Sequence, residues 1–168
     1  MRPSAQDYPA YFERYINLVK EDDLMQALKN QLPEIEKTLS LIDEEKAGKA
    51  YAEGKWTLKE LLQHVIDTDR IFSYRAMCFA RNETISLPSF DENLYAENSN
   101  ANARTWKSLC SEYFTLRRST EDLFESFTGD MLKTKGIAGN NPISVVSIGF
   151  IIAGHVYHHL NIIKERYL

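Results

Sequence analysis

The sequence predicts an all-α protein, a four-helix bundle with an extra N-terminal helical arm, whose connection lengths allow an up-down-down-up order. Three observations predict it. Glycines and prolines are few and gather at a handful of points, leaving four long stretches in which apolar residues recur at helical spacing. The two best-defined stretches open on helix-capping residues. The connections are unequal, short between the first two stretches and roughly 20 residues between the second and third.

The arm contains Pro3, Pro9 and an aromatic segment (Tyr8, Tyr11, Phe12, Tyr15), read as a short helix or a strap against the bundle. The first long helix starts at a cap, Asp22 or Asp23, and runs to about Glu45. Its stripe is Leu24, Leu28, Leu32, Ile35, Leu39 and Ile42, with a kink or break expected at Pro33. The second begins at Thr57, where Glu60 three residues on completes a capping box. Leu61, Leu62, Val65, Ile66, Phe72, Met77 and Phe79 give it an apolar face to about Arg81.

Asn82 to Ala103 follows as a long connection. The third helix runs from about Thr105 to Phe127 with Leu109, Tyr113, Leu116, Thr120 and Leu123 on one side. Gly129 to Pro142 is a second connection, and the fourth helix extends from Ile143 nearly to the C-terminus. The second helix spans roughly 37 Å, and the connection after it can stretch about 66 Å. That is long enough to run back along the bundle and set the second and third helices parallel. Residues 1–168 are read as one domain.

Composition is that of an ordinary globular chain, 43% hydrophobic and 26% charged. A net charge of −4 without a basic block argues against nucleic acid as a partner. Arg117-Arg118, flanked by Glu112, Glu121 and Asp122, reads as a solvated helix face. No unbroken apolar run of 18 residues and no signal-peptide pattern is found, so no membrane partner is expected and the cytosol is the expected home. Cys78 and Cys110, far apart and without CxxC spacing, are expected to be small buried hydrophobes.

The chemistry is carried by histidines. Ile148, Ile152, His155, His159, Ile162 and Arg166 follow the alternating 4-3 spacing of a core-facing stripe, so two imidazoles stand where aliphatic side chains belong. Residues four apart lie about 40° apart around a helix, so both rings can point at one spot, and a divalent metal there would satisfy both. The competing reading is a pair of core histidines bonded to backbone carbonyls. His158, on the flank of the stripe, is the rival partner of His155 and is placed at the rim. A metal needs at least one more ligand, and the remaining histidine, His64, lies beside the apolar stripe of the second helix. Glu60 and Asp67, four before and three after it, could bond its free ring nitrogen, reach the metal or move a proton. Arg70 and Tyr157 are weaker candidates for substrate contact.

Gly54-Lys55-Trp56-Thr57-Leu58-Lys59-Glu60-Leu61-Leu62-Gln63-His64-Val65-Ile66-Asp67-Thr68-Asp69-Arg70 and Ile152-Ala153-Gly154-His155-Val156-Tyr157-His158-His159-Leu160 together resemble the DinB/YfiT-like superfamily. The likeness extends to Arg75–Arg81 and Leu87–Glu92. It implies an up-down-down-up four-helix bundle holding a divalent metal, zinc or nickel, on three histidines, which map onto His64, His155 and His159. Characterised members transfer low-molecular-weight thiols to small electrophiles, and members are often dimers. The resemblance therefore implies a metal-dependent thiol S-transferase with a small-molecule substrate, a thiol co-substrate and a homodimeric state. A metal-dependent hydrolase on the same site is the alternative, and a non-catalytic metal-binding or ligand-sensing bundle is another. Some members carry Gln or Arg-Gly-Gln after the histidine pair, where this chain has Leu160-Asn161. That departure leaves the thiol and the substrate unnamed.

Overall fold

The computed structural model describes residues 1–168. The arm passes through a 3-10 turn at Ala10–Phe12 into the short α1 (Glu13–Ile16). Arg2 ties it down by donating to the carbonyls of Ile16, Val19 and Glu21 at 2.7, 2.9 and 3.2 Å.

The first long stretch is not one helix. It divides into α2 (Leu24–Lys29), capped by Asp23, and α3 (Leu32–Ser40), with Pro33 in the first turn of α3. Proline lacks the N–H that a helix interior needs but fits a first turn, so the expected break becomes a restart. A separate α4 (Glu44–Ala47) on the cap Asp43 completes the segment, and the expectation of helix to Glu45 is corrected accordingly.

The capping box of Thr57 and Glu60 is formed at the start of α5 (Leu58–Ala80). Met77, expected on its core face, is exposed; Ala76 and Ala80 take the buried positions. The long connection holds α6 (Glu92–Asn98), capped by Asp91, and a 3-10 turn at Ala101–Ala103. Next come α7 (Trp106–Glu125) and the short α8 (Gly129–Lys133). A hairpin that the sequence reading missed follows, with β1 (Lys135–Ala138) antiparallel to β2 (Asn141–Ser144). Its turn, Gly139-Asn140, has φ of 56° and 66°, the left-handed region that glycine and asparagine tolerate best. The last helix, α9 (Val145–Ile162), starts on the cap Ser144 and ends in a π-helical turn, Ile163–Tyr167.

Side-chain pairs fix the directions. Gln63–Arg104, Arg70–Glu112 and Ser73–Thr120 ascend together, so α5 and α7 are parallel. Leu24 meets Gly149, Gln31 meets Ala153 and Glu34 meets Lys164, so α2–α3 runs parallel to α9. His64 lies against His155 and His159, whereas Phe72 and Arg75 border Ile143 and Ile148, so α5 opposes α9. The order is up-down-down-up.

The α9 helix is buried nearly all round. With its π-helical turn it is long and apolar enough to cross a membrane, which counting unbroken apolar runs did not register. Yet 78% of its apolar window is buried inside the bundle, where it is the central helix. The apolar core falls into two clusters, one of 21 residues around Leu28, Phe79 and Phe150 and one of 15 around Ile35, Leu58 and Leu109. Between them lies a polar waist of Gln31, Thr68, Asp69, Arg117, Thr120, Glu121 and His155, all buried.

Arg117 corrects the sequence reading. It is 1% exposed, whereas Arg118 is at the surface. Arg117 Nη2 donates to Gln31 Oε1 at 2.9 Å, and Nη1 stands 3.8 Å from Asp69 Oδ2. Asp69 Oδ1 accepts from Thr120 at 2.6 Å and from Ser73 at 3.1 Å. Burial opposes the charge of Arg117, but Tyr113, Asp69 and Glu121 outweigh it and raise its pKa. The cysteines differ too: Cys78 and Cys110 are only partly buried. Burial still pushes the Cys110 thiol up to about 11, which leaves it unreactive near neutral pH.

Candidate metal centre

His64 stands seven residues, close to two turns, beyond the cap Thr57, so the capping box sets the azimuth at which its ring leaves α5. His155 and His159 leave α9 one turn apart toward the same point. The Nε2 atoms of His64 and His155 are 3.1 Å apart, and those of His155 and His159 are 3.0 Å apart. One donor atom from each of the three rings lies within 4.8 Å of the others. Trp56 holds His64 from outside, its ring tilted at 42° with centroids 4.8 Å apart. Tyr15 meets His155 edge-on at 5.4 Å.

Gly154 makes that last contact feasible. A Cβ there would stand 2.0 Å from the Tyr15 carbonyl oxygen, so only glycine lets the arm lie this close to α9.

The three rings are neutral. Burial lowers the pKa of His64 to about 4, helped by His158, and takes His155 and His159 well below the usual histidine value with the neighbouring imidazoles adding to it. A neutral imidazole offers one N–H and one lone pair, so three facing Nε2 atoms cannot all be satisfied by one another. A divalent cation would accept all three lone pairs. Nitrogens about 2.0–2.1 Å from a tetrahedral zinc lie roughly 3.3 Å apart, close to the spacing here. The donor set fits a metal. Beyond these rings, His159 Nδ1 is buried without a partner.

The other candidates fall elsewhere. Glu60 is spent on the Thr57 backbone N–H and on Asn102, at 2.8 and 3.0 Å. Asp67 accepts from Gln63 at 2.9 Å and lies 3.7 Å from Arg70, with burial raising its pKa. Neither carboxylate bonds a histidine here. Arg70 pairs with Glu112 at 2.6 Å, away from the rings. Tyr157 packs against both apolar clusters. His158 stands at the rim as expected, edge-on to Tyr15 and His159 at 5.3 and 5.0 Å.

The histidines open into a cavity of about 490 Å³ between α5, α9, the arm, the segment before α6 and the hairpin turn. Along α5 its wall is His64, Thr68, Phe72 and Arg75, a 4-4-3 stripe. Sequence reasoning missed Arg75, Trp56 and Tyr15. The signal for Arg75 was its place on that stripe, three residues after Phe72.

The DinB superfamily profile matches residues 27–163, most of the chain. The chain belongs to the DinB superfamily. A curated relative from Oceanobacillus iheyensis, named as a putative metal-dependent hydrolase, is 26% identical over 135 residues, covering 76% of this chain and 73% of its own. The solved structure of YfiT from Bacillus subtilis is described as a probable metal-dependent hydrolase with an unusual four-helix bundle topology. It matches 98% of this chain and 90% of its own at a TM-score of 0.71 and 15% identity, a likeness of fold. In this DinB chain α5 and α7 run parallel.

Proposed function

We propose that this DinB protein is a divalent-metal-dependent enzyme acting on a small molecule, with His64, His155 and His159 as the ligands. The observation that carries this is the convergence of three neutral, buried Nε2 atoms at a cavity wall, with no opposite charge among them. A divalent ion there, with three protein ligands and an open side, supplies Lewis acidity and lowers the pKa of a thiol or water beside it.

The finer reading is thiol S-transfer to an electrophile. Glu60 and Asp67 are committed elsewhere, and Glu92 is the only carboxylate lining the cavity. A thiol ionises far more readily than water, so it makes the lesser demand on a site poor in bases. His158, half-buried and at the rim, is placed to take the released proton, and Trp56 and Tyr15 keep the ligand rings from turning. Hydrolysis is the second reading, favoured by the names of the relatives. Turnover of an activated ester and of an epoxide, with and without added low-molecular-weight thiols, separates the two. S-transfer predicts turnover that requires the thiol and falls on chelation. Thiol-independent turnover that falls on chelation supports hydrolysis, and turnover unmoved by chelation contradicts both.

A further inference from the structure

Two arginines are buried in this protein, and only one has an anion. Arg117 has Asp69 beside it. Arg75 is 7% exposed, yet makes no ion pair. Its one hydrogen bond is from Nη2 to the Pro88 carbonyl at 2.5 Å. The guanidinium carbon lies 5.2 and 5.9 Å from the centroids of the Phe72 and Phe90 rings, within cation–π reach of both.

The remaining N–H donors are absent from the sealed, unpartnered polar atoms, which do include two nitrogens of Arg117. Arg75 lines this cavity and a smaller pocket beside it, so these donors keep some exposure where a ligand could meet them. A guanidinium so far out of water, with its fork unspent, is an incomplete pair. It stands eleven residues from His64 on the same face of α5, about 16 Å along the helix.

We infer that the cavity takes a small organic acid, its carboxylate held by the Arg75 fork at the end remote from His64, His155 and His159. The inference rests on the reading of this cavity as the substrate site. It deepens that reading by naming the substrate class: an elongated molecule with a carboxylate at one end, an apolar body along Phe12, Phe72 and Phe90, and its reactive end toward the histidines. A single fork suits a carboxylate, whose two oxygens match two parallel N–H groups.

The test compares binding of 4-phenylbutanoate with that of its uncharged twin, 4-phenylbutanamide, by calorimetry. The proteins are wild type, Arg75→Gln and Arg75→Lys, each metal-loaded and chelated. Wild type should prefer the acid by on the order of tenfold or more, the scale of a charge-assisted pair. Arg75→Gln should bring acid and amide within about twofold of each other, and Arg75→Lys, which keeps the charge but loses the fork, should fall between. The preference should survive chelation. Equal binding of the two probes to wild type, or binding of neither, overturns the inference without any variant having to fold. So does an acid preference that persists in Arg75→Gln. A preference that disappears on chelation puts the carboxylate on the histidine centre, which overturns the role of Arg75 while supporting the metal reading. Loss of metal binding with the acid preference intact would do the reverse.

Discussion

Between α5, α7 and the α2–α3 junction, Arg117 is sealed in with Asp69, Glu121, Gln31 and Thr120. Beside them at the same waist, His64, His155 and His159 share one pocket with no carboxylate bonded to any of them. The first cluster carries charges of both signs and contributes by holding four helices in one register. The second holds only lone pairs and keeps its charge low by staying deprotonated. Both are buried polar groups in an otherwise apolar bundle, yet one pairs opposite charges within the fold and the other turns three lone-pair donors toward one point, where a cation would satisfy them. The difference teaches how to tell a structural polar cluster from a functional one. The test is whether charges of both signs are paired within the cluster.

The largest expected effect would break that contrast. Asp69→Ala leaves Arg117 buried without its partner and should cost about 3–5 kcal/mol in urea unfolding. His155→Ala in metal-free protein removes one of three crowded lone pairs beside an open cavity. It should cost less than about 2 kcal/mol. Equal costs would mean that the two clusters do the same job.

Acid should strike the histidine side. The pKa of His64 is near 4 in the fold, against 6.5 in the unfolded chain. Below 6.5 the unfolded chain binds a proton that the folded one refuses. Stability of metal-free protein should therefore be full above pH 6.5 and decline toward pH 4, by up to about 3 kcal/mol from His64 alone. His155 and His159 shift in the same direction and add to the loss. Chemical denaturation at stepped pH checks it, and a flat profile from 7 to 4 would contradict the neutral-ring assignment. Metal should leave over the same range as protons compete for the lone pairs.

A smaller effect, about 1–3 kcal/mol, is expected for Gly154→Ala, whose Cβ would meet the Tyr15 carbonyl at 2.0 Å. The arm must move, and Tyr15 leaves His155 with it. Thermal melts measure the cost, and metal titration should show weakened affinity with stoichiometry kept.

How much of this was legible in the sequence follows from what each signal depends on. The histidine pair was legible because helical spacing alone places i and i+4 on one face, and Thr57 with Glu60 marked the start of α5 by local chemistry. Arg117 was misread because its charge outweighed its position. Leu109, Tyr113 and Arg117 share the 4-4 spacing that should have placed it in the core. The hairpin was missed because its strands are four residues each and half exposed, too short for alternation to show. Glu60 and Asp67 were set beside His64 correctly in sequence. Their partners Asn102 and Gln63, one of them distant, decide where their oxygens point.

The smallest effect is expected at His158. It touches Tyr15 and His159 by its ring alone, so His158→Ala should keep metal stoichiometry and change affinity by less than about tenfold.

The most direct measurement is metal content per chain in protein purified without a histidine tag. It compares wild type, His158→Ala, and the His155→Ala, His159→Ala double variant, each saturated with zinc or nickel and then desalted. One ion per chain in the first two and none in the third is the predicted result. Equal metal in wild type and the double variant would contradict the account.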